Sequence, residues 1–151
     1  MLSGFPNYMN LSNNFTLEQF TFSETAVRKG LDNVPSPEQI VNLTELAQAL
    51  ERVQLLLGFP LSIHSAFRSP KVNAAVGGSS TSAHMEGYAA DFTCKEFGTP
   101  LEVCKAVAES DILFDQIIHE YQEWCHLSID PRMRKMLLTK NVGTPYTEGL
   151  T

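Results

Sequence analysis

The clearest periodicity in the chain runs from Pro37 to Leu57, where Ile40, Leu43, Ala47, Leu50 and Leu57 recur along one helical face. Ser36 can cap this helix, Pro37 fits its first turn, and Gly58-Phe59-Pro60 stops it. It is the predicted core helix and carries no chemistry. Before it, residues 1–15 read as an irregular lead-in. Thr16 to Phe20 and Glu24 to Lys29 read as short helices behind Ser/Thr/Asn caps.

After Pro60 the period shortens. Leu61 to Phe67 alternates as a strand, and Pro70 to Val76 reads as a short helix ended by Gly77-Gly78. A polar loop, Ser79 to Ser82, leads to a second strand over Tyr88 to Thr93. Pro100 to Ser110 is a predicted helix capped by Thr99. Phe114 to Tyr121 and Trp124 to Ile129 read as adjacent antiparallel strands, with a tight turn at Gln122-Glu123. Residues 139–151, holding Gly143, Pro145 and Gly149, read as an exposed tail. Helices followed by mixed strands and helices predict a single α+β domain over 1–138: an antiparallel sheet with N-terminal and flanking helices.

Composition narrows the classes. A chain of 151 residues, 43% hydrophobic, can bury one proper core. No apolar run approaches the roughly 18–20 residues that span a bilayer, which argues against stable membrane insertion. Met1 to Asn10 has neither a basic start nor an apolar stretch, so no secretory signal is expected. A net charge of −6 disfavours nucleic acid as a partner. The one local basic cluster, Arg132, Arg134 and Lys135, reads as a solvated turn after a strand. Cys94, Cys104 and Cys125 lack CxxC spacing and read as buried thiols in a reducing compartment.

Two islands hold the chemistry. Ser82-Ala83-His84-Met85-Glu86-Gly87-Tyr88-Ala89-Ala90-Asp91 sets an imidazole and a carboxylate seven residues apart, with small residues between them. Glu123-Trp124-Cys125-His126 adds a second imidazole with an acid three positions ahead. Two histidines, one ligating carboxylate and one spare acid form the parts of a catalytic zinc hydrolase, because three protein ligands leave one position for water. Alternation supports the grouping. Phe92 belongs to the core, so Asp91 faces a cleft, and Leu127 with Ile129 likewise turns His126 outward from the core. By the same rule Cys125 points away from any metal that His126 holds. Glu86 reads as a loop surface charge, and His64 and His119 as ordinary strand residues, with His64 able to line the cleft.

The pattern Ser82-x-His84-x-x-Gly87-x-Ala89-x-Asp91, followed by Trp124-x-His126, resembles the zinc-dependent D,D-peptidases of the M15 class. That class includes D-alanyl-D-alanine carboxypeptidases, the D-Ala-D-Ala dipeptidases of vancomycin resistance and phage L-alanyl-D-glutamate endopeptidases. Ser65-Ala66-Phe67-Arg68-Ser69-Pro70, Asn73-Ala74-Ala75-Val76-Gly77-Gly78, Asn14 to Phe20 and Asp115-Gln116-Ile117-Ile118-x-Glu120 resemble its short, phage-type members. The resemblance spans about residues 11 to 130. It implies a zinc ion held by His84, Asp91 and His126, with Glu123 as general base and Arg68 stabilising the carbonyl oxygen as it becomes an oxyanion. It also implies that Ser82 contacts the substrate backbone, while Trp124 packs on the peptide or walls the site. Strict alternation puts Glu123 opposite Trp124 and His126, so it reaches the site only through a turn or bulge. Glu120 is the competing base, or else orients a zinc histidine.

The activity implied is hydrolysis of a peptide bond in the peptidoglycan stem peptide by a monomeric phage or prophage endolysin. Such a protein accumulates in the host cytoplasm and meets the wall after membrane disruption. L-alanyl-D-glutamate endopeptidase and D-Ala-D-Ala carboxypeptidase are the competing cleavages. The rival reading is a non-catalytic zinc-containing binding module, as in the Hedgehog signalling domain, which this fold resembles. Arg68 and Glu123 beside an open zinc position favour the enzyme.

Overall fold

The computed structural model describes residues 9–151, so the first part of the expected lead-in, before Met9, lies outside the described residues. Helix α3 spans Pro37–Leu57 and forms for the reasons its sequence suggests. The Ser36 side chain accepts from the Gln39 amide while the Gln39 side chain accepts from the Ser36 amide, and Gly58 closes the helix in the left-handed region at φ 80°. Its stripe of Leu43, Leu46, Leu50 and Val53 is fully buried. Helix α1 (Leu17–Thr21) carries the same reciprocal cap at Thr16, and α2 (Glu24–Lys29) is capped by Ser23. The remaining helices are α4 (Pro70–Ala75) and α5 (Pro100–Ala108), each with proline in its first turn.

Six strands make one sheet: β1 (Ser62–Ser65), β2 (Ala89–Thr93), β3 (Gln116–Glu120), β4 (Trp124–Ser128), β5 (Met136–Lys140) and β6 (Thr147–Glu148), in the order β1-β2-β4-β3-β5-β6. One face, with Ala90, Phe92, Ile117, Cys125 and Leu127, belongs to the same hydrophobic core as α3 and α5. All three cysteines are buried thiols. The other face gathers the polar residues. Cross-strand register sets Asp91 opposite His126, His126 opposite Ile118, and Glu120 opposite Trp124, and paired residues point the same way.

The expected single α+β domain with its flanking helices holds, and two details differ. The sheet is mixed, not antiparallel throughout, because β5 runs parallel to β3. The connection over 129–135 carries the chain past the start of β3, from Ser128 on one side of Gln116 to Met136 on the other, with Met133 and Lys135 in left-handed conformations. Asp115, buried just before β3, accepts from the Arg134 backbone amide, Nε and Nη2 at 2.9, 2.9 and 2.8 Å. That three-point hold fixes where β5 starts; Arg134 stays exposed, as expected of a solvated turn, while its guanidinium pairs with the buried Asp115.

The segment 139–151 is not an exposed tail either. A boundary at 138 falls inside β5, and β6 pairs back onto it. The buried Thr139 hydroxyl donates to the Gly149 carbonyl at 2.7 Å and accepts from the Thr151 amide at 3.1 Å. His119 on β3 contacts the Thr151 carbonyl at 2.9 Å. Glycine and proline spacing suggested a loop because it records only the turn at 141–146, whereas the two short flanking strands are specified by pairing. Thr139→Val keeps the shape of the side chain and leaves both partners without a hydrogen bond, so it should cost about 1–3 kcal/mol in urea unfolding. A docked segment gives that loss; a free tail gives a change within about 0.5 kcal/mol.

Candidate metal centre

His84 sits in a 3-10 turn, Ala83–Glu86, started by the Ser82 hydroxyl accepting from the His84 amide at 3.2 Å. Gly87 ends the turn at φ 82°. A side chain there would lie 2.8 Å from the Gln39 carbonyl and 3.2 Å from Leu43, so conformation and close packing on α3 both demand glycine. The His84 Nδ1 lies 2.6 Å from the Ala66 carbonyl. A carbonyl only accepts, so Nδ1 carries the proton and Nε2 presents its lone pair to the centre.

Asp91 lies between the two imidazoles. Its Oδ2 is 3.3 Å from His84 Nε2 and its Oδ1 is 2.9 Å from His126 Nδ1. The His84 and His126 rings stand edge to face with centroids 5.1 Å apart. One nitrogen from each histidine and a carboxylate oxygen all lie within 4.8 Å of one another, on residues only 1%, 5% and 7% exposed for His84, Asp91 and His126. Burial alone would push the Asp91 carboxyl up, but the flanking imidazoles outweigh it and hold Asp91 well below the usual carboxylate range. Burial would likewise lower His126. The hydrogen bond and charge of Asp91, with Glu120 adding to them, win and raise His126 above its ordinary 6.5. Two nitrogens and one carboxylate oxygen, with one histidine oriented by a carbonyl, suit a zinc ion with an open fourth position.

This cluster lies in the wall of a cavity of about 780 Å³. Arg68, which follows β1, lines it. Its Nη2 donates to the Ser82 hydroxyl at 3.3 Å, and its Nε is buried without a partner. Burial lowers the Arg68 pKa while Asp91 and Glu120 oppose that shift. A smaller cavity of about 260 Å³ shares Arg68, Asp91 and Trp124 with the first and extends to Phe22 and His64. His64 accordingly borders the cleft, with its Nε2 2.9 Å from the Thr93 hydroxyl.

Of the residues singled out in the sequence, the structure brings together His84, Asp91, His126, Arg68, Ser82 and Trp124. Glu123 is the exception. It is exposed on the β3–β4 turn and does not line either cavity. Tyr121 and Gln122 adopt left-handed conformations, and the Glu123 amide donates back to the Glu120 carbonyl at 2.9 Å. The turn therefore occupies 121–123, which pairs Glu120 with Trp124 on the cleft face and leaves Glu123 off it. Glu120 is buried. Its Oε1 accepts from the Trp124 indole at 2.8 Å and lies 3.8 Å from His126 Nδ1. Register was the missed signal, since it links Ile118 and Glu120 to His126 and Trp124. Cys125 and His119 are buried away from the cleft, and Glu86 is exposed. Lys140 and Tyr146 also line the large cavity, though they lie in the segment expected to be a tail.

A buried histidine–aspartate–histidine set beside an arginine and a carboxylate, at the foot of an open cleft, defines the donor arrangement of a zinc hydrolase. A family model described as peptidase M15 matches residues 13–128, which hold every one of those groups. The chain belongs to the peptidase M15 family, whose peptidases depend on zinc. No curated protein matches it.

Zinc should stabilise the fold, by about 2.7 kcal/mol at one hundred times its dissociation constant. The pH dependence has a definite sign. His126 has a raised folded pKa, so in metal-free protein its contribution is complete below 6.5 and is lost as pH rises through the folded value. Zinc needs the unprotonated imidazole, so the zinc-induced rise in Tm should be small near pH 5 and grow across that same window. Thermal melts with and without zinc measure this, and His84→Ala should abolish the shift at every pH.

Proposed function

We propose that the protein is a zinc peptidase that hydrolyses a peptide bond in the peptidoglycan stem peptide, with His84, Asp91 and His126 as ligands. One observation carries this reading: the three donors, Arg68 and the buried Glu120 line one open cleft. Zinc bound there supplies a Lewis acid and lowers the pKa of water to about 7. Glu120, held by the Trp124 indole, takes the proton of the attacking water and returns it to the leaving amine. Arg68 donates to the oxygen on which charge develops, and Ser82 steadies its guanidinium and contacts the peptide backbone. Trp124 walls the site beside the substrate.

The two cavities meeting at Arg68, Asp91 and Trp124 leave room for chain on both sides of the scissile bond. That favours an endopeptidase, of the L-alanyl-D-glutamate kind, over a carboxypeptidase. The endolysin role, with release to the wall after membrane disruption, belongs to the same proposal. Among the described residues no helix is long and apolar enough to cross a membrane. A binding module of this fold has no need of a desolvated arginine and a buried acid beside its metal, so the enzyme is preferred.

Digestion of purified muropeptides, with products identified by mass, tests the reading. An internal cut of the stem is expected, and release of terminal D-alanine alone would reassign the enzyme as a carboxypeptidase. Glu120→Gln should lower kcat by about 10²–10⁴-fold with zinc retained, whereas Glu123→Gln should stay close to the parent. The reverse pattern would return the base to Glu123. Arg68→Ala should keep zinc and lose about 10²–10³-fold in turnover.

A further inference from the structure

One wall of the large cavity, formed by Leu138 and Lys140 of β5 and by Tyr146 in the turn that follows, lies beyond residue 128, where the family match ends. Lys140 belongs to that wall. In the parallel register it stands opposite Glu120, as Leu138 stands opposite Ile118, so it lies on the cleft face of the sheet.

Four cations line the cavity, and three have assignments. Arg134 is held by Asp115 and Arg132 by Asp130, each through two side-chain bonds, while Arg68 lies at the metal centre. The carboxylates of the cavity are equally committed: Asp115 to Arg134, with Asp91 and Glu120 beside the histidines. Lys140 has no carboxylate within 4 Å among the described residues. Its ammonium lies 5.5 Å from the centroid of the Tyr146 ring and gives one N–H to the Thr144 carbonyl. Two of its three donors remain. A preorganised cation, free of counter-charge and facing a cleft in a chain of net charge −6, is complemented by an anion that the ligand brings.

We propose that Lys140, steadied by the Tyr146 ring, is a specificity residue that binds a free carboxylate of the substrate peptide. The proposal rests on the peptidase reading for the identity of that ligand. Adjacent strands lie about 4.8 Å apart, and each residue of an extended peptide spans about 3.5 Å. A carboxylate held by Lys140 therefore belongs to a residue beside the scissile bond or one further along. The chemical class is a peptide with an acidic residue there, discriminated from the same peptide carrying the carboxamide.

The test uses two stem peptides of identical sequence that differ only in that carboxylate or carboxamide, with the zinc-loaded full chain. The parent should favour the carboxylate by about tenfold or more in kcat/KM, expressed in KM. Lys140→Met should bring the ratio near one, and Lys140→Arg should preserve most of it. Tyr146→Phe should keep the preference because the ring face remains, whereas Tyr146→Ala should weaken it. Thermal melts identify a variant that has lost its fold, and the conservative arginine and phenylalanine variants then carry the comparison. No preference in the parent, or a preference that survives Lys140→Met, would overturn the proposal. Calorimetric binding of both peptides to zinc-loaded Glu120→Gln separates the two readings. Preferential binding of the carboxylate without cleavage by the parent supports Lys140 and sinks the peptidase. Cleavage without preference leaves the peptidase and removes Lys140.

Discussion

Asp91 is a desolvated carboxylate whose two oxygens each face an imidazole, His84 at 3.3 Å and His126 at 2.9 Å. A buried charge without such partners is costly enough to unfold a small domain, and much of the architecture can be understood as supplying them. The β2–β4 register sets His126 directly across from Asp91. His84 arrives by a different route, through a turn that closes on Gly87 against α3, and the Ala66 carbonyl after β1 locks its ring. Four separate stretches of chain meet at one carboxylate, and shifting any of them exposes a charge to a partnerless interior.

The same pairing explains the electrostatics without any appeal to surface charge. Attraction within the cluster outweighs burial for both Asp91 and His126, which move in opposite directions because they are two sides of one interaction. Proton and metal therefore compete for the same nitrogen. Glu120 is close enough to add to the raised His126 value, yet its hydrogen bond goes to Trp124, which leaves it beside the centre and not within the Asp91 pair.

Much of this was legible in the sequence, and the reason differs from element to element. Helix α3 could be read because caps, proline and stripe all agree within one local segment. His84, Asp91 and His126 could be grouped because strand alternation separates Phe92 and Leu127 from them. The position of Glu123 could not be read because spacing to His126 along the chain says nothing about a three-residue turn; the pairing of Glu120 with Trp124 puts Glu120 on the cleft face and leaves Glu123 on the exposed turn. Strands β5 and β6 were illegible for a related reason. Their hold on the sheet comes from Asp115 and Arg134, nineteen positions apart, and from Thr139 bonding to 149 and 151. Such long-range bonds leave no local pattern.

Strand β5 also separates two tasks that one small domain must perform. The metal centre is built from β1, β2 and β4 and from the turn at His84, all inside the stretch shared with the family. The outer wall is built from β5 and its turn, anchored by an ion pair that touches no member of the centre. Chemistry at Asp91 demands sub-ångström placement and tolerates little change, since each group there satisfies another. A wall hung on β3 by backbone pairing and by Arg134 on the buried Asp115 can exchange its side chains without disturbing that placement. Lys140 and Tyr146 line that wall, so a change at either position leaves the contacts among His84, Asp91 and His126 intact.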